Sequence, residues 1–388
     1  MEHNQADILI IGGGVLGAFH AYHALRNGQR VVLLERHAAP QGATVRNFGQ
    51  VVPSGLDSQW QHYGRESLQI YQDLQSEIDL TVRQLGTIYL ASDDEELALI
   101  DELHAINAAN DYPSELWSTG RCLNRFPQLR ADYCRGGLFF PAEISVNPRQ
   151  MIHRLHQWLA GQSNYQSYFR SSVQDLSVAS DGRVQAITSD GRTFRAAKAI
   201  LCCGSEFRAL FPEVFQRSEL ETVKLQMMRL KPQPGVTIPG NVLTGLSIRR
   251  YESFAQCPSW KAIKANERAD SFAKRWGIHL LFKQELDGGI ILGDSHEYAS
   301  VAESDGLGFD LRSDIEHYFL AEGKEIFDLP SWEVESRWFG QYCQTNCPDG
   351  IYNRTIDDHI HVVTGIGGKG MTSSAGYARS SIERILHD

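Results

Sequence analysis

The chain has 388 residues, 42% of them hydrophobic and 22% charged, with a formal net charge of −10. That length allows two domains with sizeable cores, and that composition belongs to an ordinary globular protein rather than a disordered one. The excess of 47 acidic over 37 basic residues argues against nucleic acid or an anionic membrane as a general partner.

Seven cysteines include the adjacent pair Cys202-Cys203 and form no CxxC, a usage that predicts reduced thiols in a cytoplasmic protein. The opening MEHNQADILIIGG enters a strand without a basic region and apolar signal segment. No apolar run approaches the roughly 20 residues needed to cross a bilayer, so no transmembrane segment is expected.

Ile8 to Ile11 read as a buried parallel strand. Gly12, Gly14 and Gly17 then form GxGxxG, opening a helix that includes Leu16. Such glycines allow the tight turn, the close approach of a pyrophosphate and the packing of helix on strand. The helix N-terminus supplies partial positive charge to the phosphate. A second strand, Val31 to Leu34, ends at Glu35, about 20 residues past the fingerprint, where a carboxylate accepts ribose hydroxyls. The strand, helix, strand and terminal acid together point to a dinucleotide, without separating NAD from FAD. Arg36 fits either adenosine binding or an ordinary surface charge.

Beyond the opening unit, apolar and aromatic positions from Leu56 to Ile78 recur at helix spacing. Residues 86–91 read as a strand and 93–110 as a helix whose acidic first turn is a solvated N-terminus. Pro148 suits a first helical turn with Asn147 as its cap. Asp181-Gly182 and Asp190-Gly191 mark turns between strands. VKLQMMRL, VLTGLSIRRY, GIHLLFKQE and GGIILGDSHE all read as strands, with a helix over 309–327.

Four separated stretches, in order, carry a resemblance: GATVRNFG at 42–49, NPRQMIHRL at 147–155, AAKAILCCGSEFRALFP at 196–212 and TGIGGKGMTSSAG at 364–376. Together with the glycine fingerprint they resemble the FAD-dependent oxidoreductases of the D-amino acid oxidase, glycine oxidase and sarcosine oxidase superfamily. RNFG, GLSIRRYESF at 245–254 and GIILGDSHEY at 289–298 are also similar to a subgroup proposed to act in phosphonate metabolism. The resemblance implies an α/β fold, α+β overall, with a Rossmann-like FAD-binding domain and a strand-rich substrate cap domain. The FAD-binding domain would comprise residues 1–85, 141–215 and 351–388, and the cap 86–140 and 216–350. The substrate cavity is expected where cap and FAD domain face each other.

On the same basis, Thr44, Arg46 and Asn47 in the loop, Gly204 in the later turn, and Gly367, Gly368, Gly370, Met371 and Thr372 near the C-terminus join the fingerprint residues as cofactor contacts. Arg46 can aim its donor fork at a phosphate, a flavin oxygen or a substrate anion, or form a structural salt bridge. Asn47 can turn the loop while bonding in both directions. Thr372, Ser373 or Ser374 would cap the helix that follows. The resemblance puts Ile291 where sarcosine oxidases have an oxygen-activating lysine, and their covalent-FAD cysteine falls near Tyr342 and Cys343 without matching in register. Noncovalent FAD is therefore expected, with oxygen or another electron acceptor.

Candidates for the substrate are Arg249 and Arg250, adjacent on an expected strand so that one faces inward, with Tyr251 on the face of Arg249. His279 and His296 could orient a substrate or modulate its proton, or serve structure alone. Lys369, inside a tight glycine loop, could meet a substrate anion or the flavin edge. No residue is assigned to catalysis, and no metal is expected, because His359 and His361 alone do not define a site. The leading expectation is oxidation of the C–N bond in a small anionic amine by hydride transfer to flavin. An N-methylated aminophosphonate or an aminoethylphosphonate relative comes first; the product is an imine that water converts to aldehyde and amine. The alternatives are a D-amino acid, glycine or sarcosine-type oxidase, and a non-catalytic flavin-binding redox sensor.

Overall fold

The structure, a computed structural model, describes residues 5–387. Gln5–Ile11 lies at the centre of an eight-stranded sheet, between Val31–Leu34 and Thr193–Leu201, parallel to both. Its side chains divide by the two-residue period of a strand. Ile8 and Ile10 join one apolar cluster, while Leu9 and Ile11 join another across the sheet. Burial on both faces explains why the strand reads as a continuous apolar run. Helices Val15–Arg26, Pro148–Ala160 and Gly370–His387 cover the first face. The hairpin of Val173–Val178 and Val184–Thr188 packs with Phe207 and Phe215 on the other. The turns before and after Val184–Thr188 fall at the two Asp-Gly pairs, where Gly182 and Gly191 have φ of +77° and +82°.

Helix Ser58–Glu77 is capped by Asp57, which accepts from the Trp60 amide at 2.8 Å. It buries Trp60, Leu68, Tyr71 and Leu74. It runs close against Gly370–His387, where a Cβ on Gly376 would stand 2.3 Å from Tyr63 O. The Asn147 side chain caps Pro148–Ala160 through the amides of Arg149 and Gln150, as the sequence predicts.

A second sheet of nine strands is mostly antiparallel and is built from Thr87–Ala91, Glu115–Ser118, Gly136–Phe140 and strands between Leu220 and Thr345. Asp94–Ala109 and Ser313–Ile326 contribute helical residues to its apolar clusters. The overall class is the expected one: a mixed α/β protein with a Rossmann-type half and a strand-rich half. No helix among the described residues is long and apolar enough to cross a membrane.

Three local expectations are corrected. VLTGLSIRRY is a strand only at its first two residues, the end of Asn241–Leu243; Gly245–Ile248 is a short helix, with Arg249 at its C-terminal end. Glu96 is packed against Gly245, so closely that a Cβ there would meet its carboxylate at 2.2 Å, and that tertiary contact outweighs the local β-propensity. The acidic run at 93–96 is not merely solvated: Glu96 is buried, and Asp93, Glu95 and Glu96 all pair with Arg249. Finally, the last helix starts at Gly370, so Thr372, Ser373 and Ser374 lie inside its first turns rather than capping it.

Candidate active site

One cavity of about 710 Å³ runs from the glycine fingerprint to the second sheet. The three fingerprint glycines have separate physical reasons. Gly12 has φ +109°, and a Cβ would stand 2.2 Å from Cys202 O; at Gly17 it would stand 2.0 Å from Gly12 O. These two are required by backbone packing. A Cβ on Gly14 would meet only Thr44 Oγ1, at 3.1 Å, so this is where the chain leaves room for a ligand.

Thr44 Oγ1 accepts the Val15 amide at 2.9 Å and so ties the loop to the helix start. Glu35 accepts the amides of Gly13 and His37 at 2.8 and 2.9 Å, one on each carboxylate oxygen. Each oxygen retains a lone pair for a ribose hydroxyl. Arg36 is paired with Glu206 at 2.7 Å, and both line the cavity. The first turns of Val15–Arg26 and Gly370–His387 both border it, through Leu16 and Gly17 in one helix and Gly370, Met371 and Thr372 in the other. Two helix N-termini thus turn their free amides and positive dipole ends to one space. Gly204, Gly367 and Gly368 complete this wall.

Arg46 lines the cavity with Phe339 O at 3.5 Å as its hydrogen-bond acceptor, and no carboxylate pairs with it among the described residues. A guanidinium in this position suits an anionic or carbonyl ligand group. Asn47 is committed differently: its amide donates to Ala43 O and Thr44 O and accepts from Gly49 N at 2.7 Å. It shapes the loop, and its polar atoms are engaged there. The cavity volume, the open approach at Gly14 and the Arg46 guanidinium together fit an extended dinucleotide with a ring at its inner end.

At that inner end, Arg250, Tyr251, His279, His296 and Lys369 line the cavity, and Arg249 does not. The strand argument for the two arginines fails because they follow a helical turn. Arg249 is held by three carboxylates at 2.6–2.9 Å, while Arg250 donates to Tyr298 Oη at 2.6 Å. Tyr251 consequently accompanies Arg250 on the cavity wall. Lys369 is 3.7 Å from Glu252 and stands over the Trp60 ring at 5.2 Å.

Sequence reasoning missed Asp294 and Tyr342, which share this wall. The signal for Asp294 was its place two residues before His296, the period that puts strand neighbours on one face. His279 and Asp294 lie just beyond the paired ends of strands Leu281–Gln284 and Ile290–Gly293 and are joined by two backbone bonds: the His279 amide donates to Asp294 O at 3.2 Å, and the Asp294 amide returns a bond to His279 O at 2.9 Å. These two bonds keep both residues at the cavity wall. His279 Nε2 stands 2.8 Å from Asp294 Oδ1. His296 directs Nδ1 to Gly277 O at 2.9 Å, and its ring lies 5.2 Å from that of His279. The three donor atoms lie within 4.8 Å of one another.

Burial alone would raise the Asp294 carboxyl, but its contact with His279 and the Arg250 charge outweigh it and hold it below the ordinary value. Burial lowers His296 to about 3, against the pull of Asp294, so this ring is neutral. Tyr251 and Tyr342 are both pushed up, first by burial and then by the Asp294 charge, and remain phenols.

Ile291, by contrast, is buried outside the cavity wall. Its partner across the ladder is Lys283, whose ammonium donates to Phe48 O at 2.7 Å, Val146 O at 2.5 Å and Glu285 Oε1 at 2.9 Å.

A parallel nucleotide sheet whose cofactor cradle is closed at its inner end by a second, antiparallel sheet defines a flavin-type oxidoreductase architecture. The family of FAD dependent oxidoreductases matches residues 7–384, and the chain belongs to it; FAD is its cofactor. A component of the opine oxidase of Rhizobium meliloti is 23% identical over 325 residues, covering 80% of this chain and 76% of that protein. The mitochondrial pyruvate dehydrogenase phosphatase regulatory subunit of Mus musculus is 26% identical over 203 residues, which are 52% of this chain but 23% of that protein. In fold, the chain is similar to glycine oxidase from Geobacillus kaustophilus, with a TM-score of 0.76 at 17% identity, covering 98% of this chain and 95% of that one.

Proposed function

We propose that this chain oxidises the C–N bond of a small amine bearing an acidic group, using noncovalent FAD. The observation that carries the reading is the make-up of the cavity's inner end, where the cations Arg250 and Lys369 share a wall with Asp294, His279 and His296. When bound, FAD supplies the two-electron acceptor for such a reaction. The chain's own residues bind and orient the amine. Arg250 and Lys369 hold its acidic group, Arg46 meets the flavin or its phosphates, and Tyr251 and Tyr342 narrow the space and limit water. The product is an imine, hydrolysed by water to an aldehyde or keto product and an amine. Oxygen or another acceptor then takes the electrons. The division into a cofactor part (1–85, 141–215, 351–388) and a substrate cap (86–140, 216–350) belongs to the same proposal.

An amino or imino acid is the first substrate class, because relatives of this chain include glycine oxidase and opine oxidase. An aminophosphonate is the second. It is supported by the sequence likeness at 46–49, 245–254 and 289–298 and by the presence of two cations, which suit a doubly charged head group. Noncovalent attachment is supported by Cys343, whose thiol is engaged with Gly204 O at 3.0 Å and Thr364 Oγ1 at 3.2 Å and is raised by burial.

The test is anaerobic mixing of the FAD-loaded protein with glycine, sarcosine, D-alanine and 2-aminoethylphosphonate. Bleaching of the flavin by one of them identifies the class. No bleaching by any of them returns the chain to the flavin-binding, non-catalytic reading.

A further inference from the structure

We propose that Asp294 and His279 form the site that receives the protonated nitrogen of the substrate and removes its proton before oxidation. This rests on the amine reading above. An aliphatic amine reaches a protein near neutral pH as an ammonium ion, and a nitrogen without a lone pair cannot share electrons with the carbon being oxidised. A base inside the cavity answers that requirement.

The geometry selects the pair. Asp294 and His279 are joined by reciprocal backbone bonds at 3.2 and 2.9 Å, which fix the two side chains beside the paired ends of Leu281–Gln284 and Ile290–Gly293. Both are largely buried, with side-chain exposures of 10% and 8%, and both border the cavity. Asp294 Oδ1 and His279 Nδ1 have no hydrogen-bond partner among the described residues. The Nε2–Oδ1 contact is of hydrogen-bond length, 2.8 Å, but lacks hydrogen-bond alignment. Catalytic contacts of this kind commonly tighten only with substrate in place.

Every neighbouring group favours this assignment. Arg250, on the segment after the short helix, adds to the effect of His279 in favouring the charged form of Asp294 and attracts the substrate's acidic group away from the carboxylate. Tyr251 packs edge-on to His279 at 5.3 Å, and Tyr342 lies 6.4 Å from His296; both are protonated phenols and offer no competing base. Tyr298 stacks on His296 at 6.2 Å and accepts from Arg250. His296 is neutral and fixed on Gly277 O. Asp294 by itself, held below the usual carboxylate range, keeps a proton poorly. His279 Nε2, 2.8 Å from Asp294 Oδ1, offers that proton a second seat.

The step balances simply. The Asp294 carboxylate accepts a hydrogen bond from the ammonium. One N–H bond breaks, its electron pair stays on nitrogen as the lone pair, and the proton is seated between Asp294 Oδ1 and His279 Nε2. The pair gains one positive charge, and the ammonium becomes a neutral amine.

The experiment is stopped-flow reduction of the FAD-loaded protein by sarcosine and 2-aminoethylphosphonate without oxygen, across pH, for wild type, Asp294→Asn, Asp294→Glu and His279→Gln. Metal content is measured on the same samples. Asp294→Asn and His279→Gln are expected to be reduced about 100-fold more slowly near neutrality. The deficit should shrink as pH rises toward the free amine's own pKa, where amine arrives already deprotonated, and Asp294→Glu should recover part of the rate. A deficit that stays constant across pH, or unchanged rates in both charge-removing variants, overturns the assignment. So does one equivalent of metal bound by wild type and lost in Asp294→Asn, which would make the cluster a metal site. A wild type reduced by no amine overturns the amine reading itself, and this proposal with it.

Discussion

Arg249 and Arg250 are neighbours in sequence with opposite commitments, and substitution should separate them. Arg249 bridges Asp93, Glu95 and the buried Glu96. Its replacement by alanine leaves that acid without its counter-charge and is expected to cost about 3 kcal/mol in denaturant unfolding, with the Michaelis constant of the surviving protein little changed. Arg250→Ala should do the reverse: ordinary stability and FAD binding, but at least a tenfold rise in the Michaelis constant for an anionic amine, from loss of a charged hydrogen bond of about 1.5–3 kcal/mol. Equal effects of the two substitutions on substrate would reject the division. Gly14 and Gly17 offer a second contrast. Gly17→Ala forces a Cβ to 2.0 Å from Gly12 O and should lower the melting temperature of the FAD-free protein. Gly14→Val, where only Thr44 Oγ1 lies within 4 Å of a Cβ, should spare that temperature and weaken FAD retention, as equilibrium titration with FAD would show.

At the scale of elements, the cofactor loop is held from behind by a strand of the other sheet. Lys283 on Leu281–Gln284 reaches across to Phe48 O and Val146 O, and Phe48 borders the cavity. Burial lowers this ammonium to about 8, while Glu285 opposes the shift; three acceptors around three N–H donors account for its being tolerated in the interior. Lys283→Met removes the tie without changing side-chain length greatly. The expected result is an FAD dissociation constant about tenfold higher, with most of the loss on the dissociation rate. An unchanged constant would show that the loop is held by Asn47 and its own turn alone. In wild type, acid precipitation should release intact FAD, and flavin remaining with the fully unfolded chain would refute noncovalent attachment.

Over the whole molecule, buried titratable groups pull stability in opposite directions with pH. His20 and His23 are lowered by burial to about 4 from an ordinary 6.5. Their depressed values contribute stability that is full above pH 6.5 and is lost as pH falls toward 4. Glu143 is raised by burial from 4.5 to about 7, so its contribution is full below 4.5 and is lost as pH rises through 7. Two histidines against one carboxyl predict net loss of stability on acidification below neutrality, measurable as a falling melting temperature. Glu143→Gln keeps an acceptor for the Ser54 amide at 2.7 Å and the Tyr112 hydroxyl at 2.8 Å while removing the titration. Its melting temperature relative to wild type should therefore rise between pH 4.5 and 7; a flat difference would show that Glu143 does not titrate in this range.

The sequence by itself determined the parallel nucleotide unit, the helix cap at Asn147 and the Asp-Gly turns, because each depends on short-range chemistry: a continuous apolar run, a side chain reaching its own helix amides, or a glycine at positive φ. The family resemblance pointed to Arg46 and the 364–376 loop, and Arg46 and residues 364–372 do line the cavity. Only the tertiary structure decided which basic residues meet the cavity. Glu96, more than 150 positions from Arg249, pulled that arginine away and ended the expected strand at Leu243. Asp294 became part of the site only when the pairing of Leu281–Gln284 with Ile290–Gly293 brought it into reciprocal backbone bonds with His279. Contacts between distant segments leave no local pattern in either partner, so the anion side of the cavity and the Asp294–His279 pair could be found only once the strands were in register.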